Sequence, residues 1–268
     1  MELIERTFGQ RACLLGVIHL PPLPGSPRWG GDAAAVTRRA LADVETVAAA
    51  GFDGLILENY GDVPFARGFA GRGAVAGLAA VGARVAEAVG IPIGVNVLRN
   101  DARSAVAVAA AIGARFIRVN VHVGAAVTDQ GIIQGDAFRT MNAIRDAAPG
   151  LLVFADVFVK HATPLGDATI EEAAADTVER GLADVLIVTG RATGSPAALE
   201  DASAIKKVVP GVPVLIGSGV TAESAARVLG AADGVIVGSA IMRGGKAGGS
   251  IDPERARAFV AAAGRARG

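Results

Sequence analysis

Several short apolar runs of this 268-residue sequence end in side chains that can bind a ligand or transfer a proton. Carboxylates and imidazoles exchange protons, whereas amides and a guanidinium orient substrate oxygens or bind anions. The residues are His19, Glu58, Asn96, Arg118, Asn120, His122 and Asp156. We predict acid/base roles for Glu58 and Asp156, and substrate binding by the other five.

The last two apolar runs end in turns that are rich in glycine and serine. Because glycine has no side chain, its backbone N–H groups can approach an anion closely. We predict that these turns bind a phosphate group of the ligand through Gly217, Ser218, Gly219, Gly238 and Ser239. The glycine-rich segment 190–194 (GRATG) would border the same site.

Lys160 closely follows Asp156 and is the third catalytic candidate. Its amine could form a Schiff base with a carbonyl substrate or bind a phosphate. The three histidines lack the spacing of a zinc site, so no metal ligand and no firm cofactor is assigned. A Mg²⁺ site formed by Glu58, Asp62 or Asp156 is an open alternative, because this ion needs few protein ligands.

The elements that must position these residues alternate along the whole chain between Val- and Ile-rich runs and longer Ala-rich amphipathic stretches. Eight strands are predicted at Leu14–His19, Gly54–Glu58, Pro92–Val97, Phe116–Val121, Leu151–Val157, Val185–Thr189, Val212–Ile216 and Gly234–Val237. Eight helices are predicted at Ala33–Ala50, Gly73–Val89, Ala102–Gly113, Ala137–Ala147, Ile170–Leu182, Ala197–Lys207, Ala222–Gly230 and Pro253–Ala263. This alternation indicates parallel strands joined by helical crossovers.

Eight strands and eight helices, at about 33 residues per unit, favour a (β/α)8 TIM barrel, which is an α/β fold. No linker or charged block divides the chain, so we expect a single TIM-barrel domain over residues 1–268. An open doubly wound sheet is the alternative, although it usually has fewer strands at this length. In a barrel the active site forms at the carboxyl ends of the strands, where the polar residues lie.

Side chains of a strand alternate between its two faces, so the position of each polar residue in the run orients it. The fourth run predicts one polar face that points into the barrel, formed by Arg118, Asn120 and His122. The opposite face should pack under helices with Ile117, Val119 and Val121. A desolvated Arg118 needs an anionic partner, and Asp156 or Glu58 could supply it. If the partner is Asp156, that carboxylate stays ionised and serves structure more than proton transfer.

Charge and composition limit the classes of partner. The balance of 26 basic and 26 acidic residues argues against a nucleic-acid-binding protein, which normally has a basic excess. Cys13 is the single cysteine and cannot form an internal disulfide, which indicates a reducing, cytoplasmic setting. The longest uncharged apolar stretch, Ser104–Ala114, is too short to span a membrane, so we expect no integral membrane segment. We also expect a homo-oligomer.

The sequence resembles the BtpA/SgcQ family, which was first described for photosystem I biogenesis. The matching segments follow one another over about residues 14–245: GVIHLPPLPGSP, DGLILENYGDVPF, IGVNVLRND, FIRVNVHVGA, TDQGIIQGDA, ADVFVKHATPL, VTGRATG, VLIGSGVTAES and DGVIVGSA. The resemblance implies a phosphate-binding barrel related to the ribulose-phosphate-binding barrels. It also implies peripheral contact with the photosynthetic membrane in cyanobacteria, although members occur in many organisms without photosystems.

Two positions depart from the family pattern. A lysine normally follows the glycine–serine turn of the eighth strand, whereas this chain has Met242-Arg243-Gly244 there. The asparagine that is usual near Ser224 is also missing. The resemblance supplies no catalytic mechanism.

Two functional hypotheses follow. The first is an enzyme of unassigned reaction type that acts on a small phosphorylated ligand, a sugar or nucleoside phosphate. The alternative is a non-catalytic assembly or stability factor of the photosystem I biogenesis type. The polar mouth favours the enzyme, since a scaffold does not need several acidic, basic and amide groups facing one cavity. No basic amphipathic helix of the kind that docks on lipid is evident, so membrane contact rests on the resemblance alone.

Overall fold

A closed barrel of parallel strands forms the centre of the computed structural model, which describes residues 2–189 and 196–267. The described strands are β1 (Cys13–His19), β2 (Gly54–Glu58), β3 (Ile93–Asn96), β4 (Phe116–Val119), β5 (Ala125–Thr128), β6 (Gly131–Gln134), β7 (Leu152–Val157), β8 (Ala162–Pro164), β9 (Val185–Val188), β10 (Val214–Ile216) and β11 (Gly234–Val237). Eight of them close the barrel in the order β1-β2-β3-β4-β7-β9-β10-β11, and β11 pairs with β1. The prediction of a TIM barrel is confirmed.

Helices cover the outside of this barrel and connect its strands. They are α1 (Glu2–Phe8), α2 (Ala33–Ala50), α3 (Arg72–Ala88), α4 (Ala102–Ile112), α5 (Ala137–Ala147), α6 (Ile170–Glu179), α7 (Pro196–Val208), α8 (Ala222–Leu229) and α9 (Pro253–Arg267). The start of α2 is set by Asp32, whose side chain accepts the backbone N–H of Ala35, and α2 ends at Gly51 in the left-handed conformation. No described helix is both long and apolar enough to cross a membrane.

The inside of the barrel is apolar over most of its depth. Alternate strand residues form this inner cluster: Cys13, Leu15, Val17, Ile56, Phe116, Phe154, Val185, Ile187, Leu215 and Ile236. Helix α1, which the sequence analysis did not predict, adds Ile4 and Phe8 to the same cluster. The Phe8 ring meets the Phe116 ring edge to face at 5.8 Å. The polar inward residues therefore lie only toward the carboxyl ends of the strands.

A small antiparallel sheet of order β6-β5-β8 lies beside the barrel and was also absent from the prediction. It buries Ala126 and Ile133 against Val121 and Val159. Its strands are three or four residues long, so they carry too few alternations to be recognised as strands. The insertion of β5 and β6 diverts the chain directly after β4, and this diversion changes the direction of the His122 side chain.

Candidate functional site

The carboxyl ends of the barrel strands open into one cavity of about 450 Å³, which we call the mouth. Ten predicted site residues line it: His19, Glu58, Arg118, Asn120, Lys160, Gly217, Ser218, Gly219, Gly238 and Ser239. Two more, Asn96 and Asp156, lie directly behind this lining and bond to Glu58 and Arg118. His122 is the exception. The predicted segment 190–194 lies outside the residues that the structure describes, and Thr189, the residue before it, lines the mouth.

Glu58 is held by residues on both neighbouring strands. It is the register partner of His19 on β1 and of Asn96 on β3. The His19 Nε2 lies 3.4 Å from Glu58 Oε1, and Asn96 Nδ2 donates to Oε2 at 2.6 Å. Gly248 N–H donates to His19 Nδ1 at 2.9 Å, so neutral His19 carries its proton on Nε2, toward Glu58. The Tyr60 ring stacks on the His19 ring, with the two ring centres 4.2 Å apart.

The surroundings of Glu58 keep its carboxylate ionised at neutral pH. Burial by itself raises the pKa of Glu58, but the His19 hydrogen bond, the charge of Arg118 and the Asn96 hydrogen bond together bring that pKa below its ordinary value. A buried carboxylate that is already ionised can accept a proton from a ligand. The geometry therefore suits Glu58 as a general base more than as a general acid.

Acid should remove the stabilisation that Glu58 provides. Because its pKa is lower in the folded chain than the ordinary 4.5, the ionised group stabilises the fold above that pH. The contribution is lost as the pH falls through the lower folded-state pKa. We expect the free energy of unfolding of the wild type to exceed that of Glu58→Gln at about pH 7 and the difference to shrink on acidification. Urea titrations over a pH series test this, and a difference that grows toward low pH would contradict it.

Arg118 and Asp156 form a buried ion pair across β4 and β7. Arg118 Nε donates to Asp156 Oδ2 and its NH2 group donates to Oδ1, both at 3.0 Å. The side chains are 10% and 0% exposed. Burial alone lowers the pKa of Arg118, but the charge and hydrogen bonds of Asp156 and the charge of Glu58 raise it above the ordinary value. The predicted pairing of Arg118 with a carboxylate is confirmed.

This pairing bears on the predicted acid/base role of Asp156. Its Oδ2 also accepts a hydrogen bond from Asn120 Nδ2 at 3.0 Å, so both carboxylate oxygens are engaged. Asp156 therefore holds Arg118 and Asn120 in place, and its side chain is 0% exposed. Glu58 is also bonded through both oxygens, but it lines the mouth itself, which makes it the better candidate for proton transfer. An added Cβ at Gly217 would lie 2.5 Å from Ile187 Cγ2, so only glycine fits the wall that faces Arg118.

The two glycine turns and Lys160 belong to the same cavity. Lys160 Nζ lies 3.4 Å from Ser218 Oγ, and the Lys160 backbone N–H donates to Thr189 Oγ1 at 2.8 Å. Gly219 has a φ of +70°, a conformation that favours glycine. The ammonium group thus lies against the turn predicted to bind phosphate.

Several residues that line the mouth have no role assigned from the sequence: Tyr60, Phe65, Arg99, Asp129 and Thr189. The position of Arg99 was visible in the sequence, because it follows β3 just as Lys160 follows β7. The position of Asp129 was not, since it lies in the turn between β5 and β6, which had no sequence signal.

The predicted inward orientation of His122 is wrong. Its Nε2 lies 2.8 Å from the carbonyl oxygen of Gly181, in the loop after α6, and the residue is 1% exposed. Burial lowers the pKa of His122. The alternation fails because β4 ends at Val119, after which the chain turns toward β5. For the same reason Val121 packs in the small sheet and not under the helices, whereas Arg118 and Asn120 follow the prediction.

The carboxylates considered for Mg²⁺ are all engaged with protein donors. Asp62 accepts hydrogen bonds from the Leu23 N–H and from Asn59 Nδ2, in addition to the contacts given above for Glu58 and Asp156. Within residues 2–189 and 196–267, no three His, Cys, Asp or Glu side chains are grouped to hold a metal ion. We therefore propose no Mg²⁺ site.

Comparisons with known proteins place this geometry in context. The BtpA family model matches residues 10–265. A Synechocystis protein named photosystem I biogenesis protein BtpA is 44% identical over 98% of this chain and 91% of its own length, and an uncharacterised Pyrococcus furiosus protein is 46% identical over 92% and 93%. Among solved structures, N-(5′-phosphoribosyl)anthranilate isomerase from Pyrococcus furiosus has a TM-score of 0.57 and 15% identity over 95% of this chain and 99% of that chain. The last likeness is one of fold alone.

Proposed function

The chain belongs to the BtpA family, and from that premise we propose that it is an enzyme acting on a small phosphorylated metabolite bound in the mouth of the barrel. One observation carries this proposal: the ammonium of Lys160 lies 3.4 Å from Ser218 Oγ in a cavity shared by both glycine turns and the ionised Glu58. A cavity of about 450 Å³ is of the size that encloses small organic ligands.

The phosphate would occupy the wall formed by the turns after β10 and β11. Glycine at 219 and 238 lets an anion approach the backbone there, and Ser218 and Ser239 add hydroxyl groups. The Gly217 N–H is already donated to the Val188 carbonyl at 2.8 Å, so Gly217 contributes space and not a donor. Lys160 would then contribute a positive charge to the phosphate and not a Schiff base, because its nearest described polar partner is Ser218. The phosphoribosyl group in the name of the isomerase with the same fold agrees with this arrangement.

The rest of the ligand would face the opposite wall of the mouth. There Glu58 would remove a proton, while His19 Nε2–H and Asn96 keep its carboxylate ionised and oriented. Asn120 Oδ1 is buried and has no hydrogen-bond partner among the described residues, although Asn120 Nδ2 is bonded to Asp156. A buried acceptor without a donor is unfavourable. A ligand hydroxyl would satisfy it once the amide turns toward the mouth, since Oδ1 itself is not exposed there.

The alternative is an assembly factor without catalysis, and its support is the name of the Synechocystis relative. The relative from Pyrococcus furiosus is equally similar and has no such name. The unsatisfied acceptor at Asn120 and the ionised Glu58 both favour the small-ligand hypothesis, because binding of a protein partner elsewhere on the surface would leave them unused.

Replacement of Lys160 by glutamine should lower the affinity for phosphorylated ligands by roughly tenfold or more, since a charge-assisted contact is lost. A thermal-shift screen of sugar phosphates and nucleoside phosphates, each beside its unphosphorylated analogue, identifies a binder. A ligand at one hundred times its Kd raises the free energy of unfolding by about 2.7 kcal/mol. Lys207→Gln, on the exposed face of α7, is the matched control. If no phosphorylated compound stabilises the protein more than its analogue, the proposal fails.

A further inference from the structure

The guanidinium of Arg99 lies in the mouth without an acidic partner. Arg99 follows β3, lines the cavity and is 8% exposed. Its NH2 group donates to the Lys160 carbonyl oxygen at 3.1 Å, and its Nε has no hydrogen-bond partner among the described residues. None of the ion pairs found in residues 2–189 and 196–267 involves Arg99, and the segment 190–195 contains no acidic residue.

An unpaired buried guanidinium is costly, because arginine stays charged and one neutral carbonyl does not replace its hydration. Burial lowers the pKa of Arg99, and the more distant carboxylates of Asp129, Asp156 and Glu58 oppose this effect. Arg118 offers no relief because it carries the same charge. An anion in the mouth would offset the part of this cost that the three carboxylates leave.

The backbone around Arg99 is held in place from two sides. The Arg99 N–H donates to the Ala66 carbonyl at 3.4 Å, and the Gly68 N–H donates to the Arg99 carbonyl at 3.4 Å. The next residue, Asn100, exchanges two hydrogen bonds with the Val121 backbone, at 2.7 and 2.9 Å. The backbone of Arg99 is thus fixed, and the Lys160 carbonyl orients its guanidinium before any ligand arrives, as a binding group requires.

We propose that Arg99 binds a second anionic group of the ligand, so that the ligand is a phosphate monoester that also carries a carboxylate or a second phosphate. This inference rests on the proposed function. Lys160 connects the two positions, because its carbonyl oxygen accepts from Arg99 while its ammonium reaches Ser218. A lysine spans at most about 8 Å between its carbonyl oxygen and its ammonium, and the Arg99 NH2 group lies 3.1 Å from that oxygen, so the two cationic groups are at most about 11 Å apart. A small molecule with two anionic groups can bridge this distance. Short sugar-acid phosphates and bisphosphates have this form, whereas nucleoside monophosphates do not.

Calorimetric titration can separate the two anionic positions. The probes are sn-glycerol 3-phosphate with one anionic group, 3-phosphoglycerate with an added carboxylate, and 1,3-propanediol bisphosphate with an added phosphate. We expect the wild type to bind one of the doubly anionic probes roughly tenfold or more tightly than glycerol 3-phosphate. Whichever doubly anionic probe binds more tightly identifies the second group.

Arg99→Gln should abolish that preference and leave the affinity for glycerol 3-phosphate almost unchanged. Arg103→Gln, an exposed arginine four residues along the chain, is the matched control and should keep the preference. Arg99→Lys retains the charge and should keep part of the preference. This variant gives the test an outcome even if the glutamine variant folds poorly. A wild type without the preference, or an Arg99→Gln variant that retains it, would overturn the inference while glycerol 3-phosphate still binds. If none of the three probes binds the wild type, this inference fails, whereas the proposed function is decided by the broader thermal-shift screen of sugar and nucleoside phosphates.

Discussion

Replacing Asp156 by asparagine should lower the free energy of unfolding by about 3–5 kcal/mol, because it leaves the Arg118 guanidinium charged and unpaired. Both partners are buried, and Asp156 Oδ1 and Oδ2 accept all the hydrogen bonds given above for Arg118. An asparagine has nearly the same volume, so cavity formation adds little to this value. Urea denaturation followed by circular dichroism measures the change.

Two further variants define what the pair contributes. Asp146→Asn breaks the exposed Arg145–Asp146 pair and should change stability by less than about 1 kcal/mol. The double variant Arg118→Leu with Asp156→Leu strands no charge and should recover much of the stability that Asp156→Asn loses. If Asp156→Asn lowers the free energy of unfolding no more than Asp146→Asn does, the buried Arg118–Asp156 pair does not stabilise the fold.

Gly238→Asp should lower the affinity for phosphorylated ligands by roughly a hundredfold, because it puts a negative charge where we propose that phosphate binds. The structure accommodates this side chain. An added Cβ at Gly238 would lie 3.6 Å from His19 Cε1, which is ordinary contact. Gly219 is unsuitable for the same test, since its φ of +70° strains any other residue.

The test compares a sugar phosphate with its unphosphorylated analogue by calorimetric titration of the wild type and of Gly238→Asp. We expect Gly238→Asp to lose much of the affinity for the phosphorylated compound and little of the affinity for the analogue. Gly90→Asp adds the same charge at an exposed glycine with open space around it, and it should bind like the wild type. Equal affinity of the wild type and Gly238→Asp for the phosphorylated ligand would remove the phosphate site and favour the assembly-factor alternative.

The barrel and the inward residues of its strands were predictable from the sequence. Strand and helix periods are local properties of the backbone, so eight alternating units are visible without knowledge of the contacts between them. Within a strand, parity alone orients Glu58 and Arg118, because each neighbour points to the opposite face. The turns after β10 and β11 were recognisable for a similar reason, since glycine at a strand end is a local signal.

The prediction failed where a short strand or a loop leaves that local pattern. His122 was misplaced because nothing local marks the end of β4 at Val119. Helix α1 was missed although Phe8 fills the amino end of the barrel, because a seven-residue amphipathic segment is too short to show a clear period.

The contacts that suggest a function were decided only by the tertiary structure. Lys160 lies 58 residues from Ser218 in sequence, and Arg99 lies 61 residues from the Lys160 carbonyl that it contacts. Long flexible side chains from loops reach such partners only after the barrel closes and sets the distances between its strand ends. The sequence by itself therefore determined which strands carry chemistry, and the closed barrel determined which charges are neutralised and which stay open to a ligand.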